Sequence, residues 1–395
     1  MADYSAFEPT PPFDYRDEAI RTREEEYLRE QRETCPVIHS SEFGGFWALT
    51  KYDDIATAAH DHERFTTTDG PTIPSFGRPY ASKPLTSDPP EHGKFRRILQ
   101  PYFTPAAVQA MEPLVRDIVT DKITRLSGRR EADFMVELGY PVPAEVMAAT
   151  LGVGREVAGD ISLMNQKTQH AAVTGDIEGT REVQGRILEF LTTEIDARRD
   201  EPKGDLLSTI VHAEVDGRPV TDEIRFGMAT MLIVAGTDTT VSGITNTLAL
   251  LADYPADYRQ SLLDDRAKLL GFINESLRYD APVLGLARTV REPLCLRGAD
   301  LEPGDRVLLL WGSGNRDADR FTNPDTFDPE RKETSNLTFG YGRHRCIGDH
   351  LAKLEIRVVV EEVLKNMPQY RLANDEPLPL RTDLEHGPRS LPVVW

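Results

Sequence analysis

Cys346 has the most chemistry around it. It lies in Phe339-Gly340-Tyr341-Gly342-Arg343-His344-Arg345-Cys346-Ile347-Gly348, where two glycines open a tight loop and a helical pattern starts at Gly348. A cysteine just ahead of a helix has backbone N–H groups near its sulfur and the positive end of the helix dipole beside it. Arg343 and Arg345 push in the same direction, so the position favours a thiolate. Such a thiolate suits a haem iron, where strong donation favours O–O cleavage on the opposite face. Two other readings compete. A lone cysteine is commonly a small buried hydrophobe. His344-x-Cys346-x3-His350 also has the spacing of half a zinc site, although no second Cys/His pair completes four ligands. Gly340-x-Gly342 opens no dinucleotide loop, because Arg345 stands where a third glycine belongs.

Other residues stand out against their surroundings. Ala235-Gly236-Thr237-Asp238-Thr239-Thr240 interrupts an apolar helical pattern, with MLIVAG running into it and LALLA after it. An acid and several hydroxyls there are costly without a purpose, and a Thr hydroxyl can bond the carbonyl one turn back. The plain alternative is a kink satisfied by its own side chains. Glu275 and Arg278 are three apart and share a helix face, as an ordinary surface pair would. Arg331 follows Phe327-Asp328-Pro329-Glu330. His92 and Arg96 sit one helical turn apart, and Arg288 follows Leu286-Ala287; each alone reads as a solvated charge.

The elements that must hold these residues are mostly helical. From 91 to about 280 the apolar spacing is that of helices broken at Pro and Gly. The longest segment runs from Asp222 to Asp253, with Thr221 as N-cap and Asp222 and Glu223 at the positive dipole end. Short strands are expected at GFWALTK (45–51), between 287 and 311 with a turn at Pro303-Gly304-Asp305, and at the terminal RSLPVVW. Residues 69–90 and 312–345 read as loops. A helix from Gly348 to about Lys365 places Ile347, Leu351, Leu354 and Val358 on one face. The expectation is one mainly α domain over 1–395 with a small β portion, and residues 1–44 as a peripheral segment.

Composition narrows the rest. With 65 acidic against 46 basic residues and a net charge of -19, nucleic acid is excluded as the main partner. The three cysteines form no CxxC and no disulfide framework. The amino terminus lacks the apolar stretch of a signal peptide. No run approaches the roughly 18 apolar residues of a membrane span. The chain is expected to be cytoplasmic, without membrane insertion, and monomeric.

The Cys346 loop resembles the haem-binding loop of the cytochrome P450 superfamily in its soluble bacterial form, with Phe339, Gly342, His344, Cys346 and Gly348 on the family's positions. The resemblance extends over roughly residues 45 to 395, with the motifs in family order. It implies a long central helix over a haem b and the thiolate loop beneath it. Cys346 is then the iron ligand, Phe339 packs near the sulfur, Gly340 and Gly348 are cofactor-binding, and His344 reaches a haem propionate. His92 with Arg96, and Arg288, are the implied further propionate partners. Glu275, Arg278 and Arg331 form a structural brace for the loop. Ala235 and Gly236 adjoin the haem, and Asp238 with Thr239 is the acid–alcohol pair that relays protons through water to bound oxygen.

The implied activity is insertion of one oxygen atom from O2 into a small, mostly hydrophobic substrate by hydroxylation, epoxidation or O-demethylation. No flavin or iron–sulfur motif is present, so electrons are expected from a ferredoxin and an NAD(P)H-dependent reductase, docking near Arg343, Arg345, Lys353 and Arg357. The substrate pocket is expected to draw on Phe76, Tyr80, Met231, Val234, Ala235, Leu284, Leu286, Leu384 and Glu385. The terminal LPVVW resembles terpenoid-oxidising bacterial members. A peroxide-driven peroxygenase and a non-catalytic haem binder or sensor remain as alternatives; neither needs the acid–alcohol pair.

Overall fold

The computed structural model describes residues 13–74, 82–154, 156–174, 178–381 and 384–395. Its axis is the helix Asp222–Ala252, whose 31 residues span about 46 Å. The Thr221 hydroxyl accepts from the Ile224 N–H at 3.4 Å, with Asp222 and Glu223 in the first turn. Met228, Leu232, Val241, Ile244 and Leu248 are all buried. A helix apolar on most sides must lie inside the molecule. Here it packs against the helices Pro141–Leu151, Arg266–Tyr279 and Asp349–Asn366.

The expected mainly helical architecture with small sheets is present. Five strands form the largest sheet, in the order Val37–Ser40, Phe46–Leu49, Arg306–Leu309, Leu286–Val290, Phe65–Thr66. Val307 pairs in parallel with Trp47 and antiparallel with Arg288, which fixes the height of Arg288 in the sheet. Arg371–Leu372, Pro392–Val394 and Glu131–Asp133 make a second sheet of three strands. Among the described residues, no helix is long and apolar enough to cross a membrane.

The N-terminal segment departs from expectation. Phe13, Tyr15, Ile20 and Leu28 are buried in one cluster with Phe46, Leu284, Leu308 and Leu384. The strand Val37–Ser40 is part of the largest sheet. Described residues from 13 onward therefore cover the sheet rather than lie at the periphery. Their apolar side chains are widely spaced among charged ones, so the helices look polar although one edge is buried.

The helix after the cysteine, Asp349–Asn366, carries a buried acid. Glu355 is 2% exposed, and its Oε2 finds no hydrogen-bond partner among the described residues. Burial pushes its carboxyl well above the ordinary value of 4.5. A carboxyl whose folded pKa is raised keeps its proton where the unfolded chain loses it. Stability then falls by about 1.4 kcal/mol per pH unit between the two values. Glu355→Gln is expected to remove that slope. The unfolding midpoint of the variant should gain on the parent as pH rises above 4.5. A difference that stays constant with pH would show that Glu355 does not carry this titration.

Candidate functional site

The cysteine loop is set by its own backbone. Gly340 and Gly342 have φ of 71° and 69°, a conformation that glycine adopts without strain. A Cβ on Gly342 would also lie 3.0 Å from the Ala59 carbonyl oxygen of the helix Tyr52–His60. The Cys346 N–H donates to the Phe339 carbonyl at 2.8 Å, closing the loop. Lys353 sits 5.4 Å from the Phe339 ring centroid.

Cys346 is exposed, yet burial is the largest influence on it and raises its thiol pKa. The two facts describe a sulfur at the floor of an enclosed recess. A backbone N–H at Gly348, then Arg96 and Arg345, lower the pKa, while Asp349 raises it; the net direction is upward. The expectation that the loop by itself favours a thiolate is thus corrected: desolvation outweighs the dipole and the arginines. Arg343 acts on His92 instead. The zinc alternative also fails. Among the described residues no group of three His, Cys, Asp or Glu converges, and the His350 side chain is half exposed beside Asp349.

Beside the loop, basic groups gather without a matching acid. The His92 and His344 rings lie 4.2 Å apart. Burial, then Arg96 and Arg343, push His92 down to about 4. Burial, then Arg288, His92 and Arg96, push His344 to about 2, and its Nε2 has no partner among the described residues. Burial lowers Arg288 to about 10, and the hydrogen bond it makes here goes to the neighbouring Ala287 carbonyl. Arg96 is also lowered by burial. Asp88, the acid felt by His92 and Arg288, is already engaged by Thr66, Thr67 and Arg291. Its carbonyl accepts the His92 N–H at 2.9 Å, so Asp88 anchors the start of the His92–Arg96 helix. Sequence reasoning passed over it. Buried cations left unpaired are costly unless an anion joins them.

The brace is fully assembled. Glu275 receives Arg278 at 2.8 and 2.7 Å and Arg331 at 3.1 and 3.2 Å. It also accepts the Asp328 N–H at 2.9 Å. A Cβ on Gly271 would lie 2.7 Å from the Pro329 carbonyl oxygen, so this glycine lets the Arg331 loop close on the helix. Arg278 donates onward to the Asn315 carbonyl at 2.8 Å. The Asn315 side chain binds the Leu337 N–H at 2.6 Å and the Thr338 hydroxyl at 2.9 Å. Thr338 directly precedes Phe339.

On the central helix the hydroxyls of Thr237, Thr239 and Thr240 donate to the carbonyls of Ile233, Ala235 and Gly236 at 2.7, 3.0 and 3.0 Å. The helix stays continuous through them. Ala235 is exposed, and Val234 and Thr239 are half-buried. The Met147 methyl carbon stands where a Gly236 Cβ would be, so on that side Gly236 packs against the helix Pro141–Leu151. Asp238 is not free. Arg381 donates to both its oxygens at 3.0 Å, and this arginine is 1% exposed. Nothing local in the sequence pointed to Arg381.

Of the expected pocket residues, Val234 and Ala235 stand with Leu286 as partly or fully accessible. Met231, Leu284 and Leu384 are 7%, 2% and 6% exposed and fill the core, which corrects their assignment to the pocket. Residue type alone does not say which side of a wall an apolar side chain faces. Phe76 and Tyr80 lie outside the described residues. Arg357 is also corrected: it is buried, paired with Glu112 at 2.6 Å and Glu361 at 2.9 Å, and offers no docking charge. Arg343 and Arg345 remain exposed beside Tyr341.

A thiol on the floor of a recess, flanked by two arginines with no carboxylate partner among the described residues and by two neutral histidines, and braced from behind, suits an anionic iron porphyrin held through sulfur. The comparisons agree. A family model described as Cytochrome P450 matches residues 263–376. Cytochrome P450 107B1 of Saccharopolyspora erythraea is 31% identical over 373 residues, 91% of each chain. A methyl-branched lipid omega-hydroxylase of Mycobacterium bovis is 32% identical, over 89% of this chain and 84% of the relative. The structure of CYP109E1 from Bacillus megaterium in complex with testosterone matches with a TM-score of 0.85 and 26% identity, over 96% of this chain and 99% of that one. The chain belongs to the cytochrome P450 family. It is an oxidoreductase of the monooxygenase class, and its cofactor is haem b. The residues fit that group: among the described residues the His344 Nε2 has no hydrogen-bond partner and Arg96 and Arg288 have no carboxylate partner, so these would meet two carboxylates, and Cys346 would supply the sulfur ligand.

Proposed function

We propose that this enzyme inserts one oxygen atom of O2 into a small, mostly hydrophobic organic molecule by hydroxylation, epoxidation or O-demethylation, using electrons from an external ferredoxin. Cys346 holds the iron; His92, Arg96, Arg288 and His344 hold the propionates. The exposed Arg343 and Arg345, the latter also paired with Asp349 at 2.8 Å, lie next to a Tyr341 that is 41% exposed and offer a basic face to an acidic electron carrier. The bound haem supplies oxygen activation and transfer. The chain supplies substrate pose and protons.

The observation that carries the reading is the Asp238–Thr239 pair beside the accessible Ala235. The Thr239 hydroxyl spends its proton on the Ala235 carbonyl at 3.0 Å. Its oxygen lone pairs remain as acceptors, suited to hold a water that brings a proton. Asp238, one residue earlier, is the acid that reloads this water. A peroxygenase or a sensor needs neither group. Relatives and neighbours are named for methyl-branched lipids and testosterone, and the accessible Val234, Ala235 and Leu286 suit an apolar guest.

Thr239→Ala is expected to lower product formed per O2 consumed several-fold, with substrate affinity nearly unchanged, whereas Thr239→Ser keeps the ratio. Oxygen-electrode and product assays on a ferredoxin system measure this. Unchanged coupling in Thr239→Ala, or efficient peroxide-driven turnover with no response to reductant, overturns the reading.

A further inference from the structure

Lys353 is a cation without a matching acid. It stands on the helix Asp349–Asn366, and its ammonium lies over the Phe339 ring, 5.4 Å from the centroid. The side chain is half-buried, and burial lowers its pKa from the ordinary 10.5, with Asp349 opposing the fall and Arg345 adding to it. Asp349, one turn back on the same helix, is itself paired with Arg345 at 2.8 Å. Arg357, one turn on, has Glu112 at 2.6 Å and Glu361 at 2.9 Å. Among the described residues Lys353 makes no ion pair and no hydrogen bond. A partly buried charge left this way is costly, so its place on that ring calls for a reason.

The ring belongs to the support of the sulfur. The Phe339 carbonyl accepts the Cys346 N–H at 2.8 Å, and Thr338, the residue before it, is held by the Asn315 side chain at 2.9 Å. A charge resting there keeps a fixed place relative to the thiol. The plainer alternative is a lysine stem lying on an apolar surface with its head in water. The charge balance of the loop argues for more than that. Arg345 is matched by Asp349. Arg96 and Arg288 are matched by the propionates they are proposed to meet. Arg343 is exposed, where water and salt screen it. Lys353 keeps a charge that is neither matched nor fully screened.

One electron delivered to the bound haem adds one negative charge to this site. A cation partly shielded from water then stabilises the reduced form over the oxidised one. We propose that Lys353, through its charge over the Phe339 ring, raises the reduction potential of the bound haem and so favours entry of the first electron. That electron leaves the reduced ferredoxin, which is oxidised, and no bond forms or breaks at Lys353. This role rests on Cys346 being the iron ligand.

Lys353→Met keeps an unbranched stem on the ring and removes the charge. The measurement is a spectroelectrochemical titration of the haem-loaded enzyme, with no ferredoxin present. At a fixed electrode potential the ratio of reduced to oxidised enzyme is expected to fall about tenfold, which is about 59 mV for one electron. Lys353→Arg keeps the charge and should stay close to the parent, and the red-shifted Soret band of the reduced carbon monoxide complex should stand in both. If Lys353→Met does not retain haem, Lys353→Gln takes its place in the same titration. An unmoved potential in the neutral variant, or an equal fall in Lys353→Arg, overturns the proposal, because a packing role predicts the first and lost fit on the ring the second. A raised KM for ferredoxin with the potential unmoved also overturns it and makes Lys353 a docking charge. In each of these cases ligation by Cys346 still holds. A parent enzyme that lacks the red-shifted band overturns that ligation instead, and the tuning with it.

Discussion

Replacing Cys346 with histidine is expected to abolish the strongly red-shifted Soret band of the reduced, carbon monoxide-bound enzyme and to end oxygen insertion. Among the three cysteines only Cys346 faces the recess. Cys35 is 3% exposed and bonds the Val37 carbonyl, and Cys295 lies on an exposed hairpin strand. The structure also shows how much the sulfur depends on its ligand role. Burial raises the thiol pKa over the opposing N–H at Gly348 and the charges of Arg96 and Arg345, so the metal supplies what the loop does not. An imidazole is neutral when it ligates and donates less strongly than a thiolate. Three members of the propionate cluster, His92, Arg96 and Arg288, belong to other elements and stay in place; His344 shares the cysteine loop. Cys346→His should therefore keep haem through purification while losing the band. Absorbance of the reduced carbon monoxide complex, with haem content measured in parallel, checks both parts. Survival of the red-shifted band would refute sulfur ligation at this position.

What the sequence made legible was local. The cysteine loop, the Glu275–Arg278 spacing and the Asp238–Thr239 pair are each written in consecutive or near-consecutive residues, and periodicity located the helices that carry them. What it hid was mostly long-range. Arg381 meets Asp238 across 143 residues, from a stretch with no helical or strand period. Arg357 looked like a surface charge because its partner Glu112 lies 245 residues away. Asp88 gave no motif signal at all, although its bonds to Thr66, Thr67 and Arg291 tie down the helix that carries His92. Leu284 and Leu384 illustrate a different limit. Both are apolar and both lie near the expected pocket in the chain, yet they pack with Phe13 and Leu308, whose burial the charged N-terminal pattern concealed. Pairwise chemistry over short spacings is readable; which buried partner completes a charge is decided by packing.

Glu275→Gln is expected to lower stability by about 3–5 kcal/mol, the scale for removing one member of a buried ion network. That is a large share of the roughly 5–15 kcal/mol that holds a domain folded. Glu275, Arg278 and Arg331 have side chains 4%, 1% and 5% exposed, so neither arginine can turn to water once the carboxylate is gone. Glutamine keeps the shape but supplies one acceptor oxygen in place of two, and it places an NH2 against a guanidinium. Arg278 has no slack to absorb this. Its Nε and Nη2 hold Glu275, while Nη1 binds the Asn315 and Pro324 carbonyls at 2.8 and 2.9 Å and Nη2 also reaches Thr326 at 3.3 Å. Movement there passes to Asn315, then through Leu337 and Thr338 to Phe339, whose carbonyl fixes the Cys346 N–H. The loss should thus appear twice, as a lower midpoint in chemical denaturation and as haem lost on gel filtration. Arg278→Lys should behave similarly, since an ammonium cannot reproduce five planar donors. A Glu275→Gln enzyme with parental midpoint and full haem would show that the loop stands without its brace.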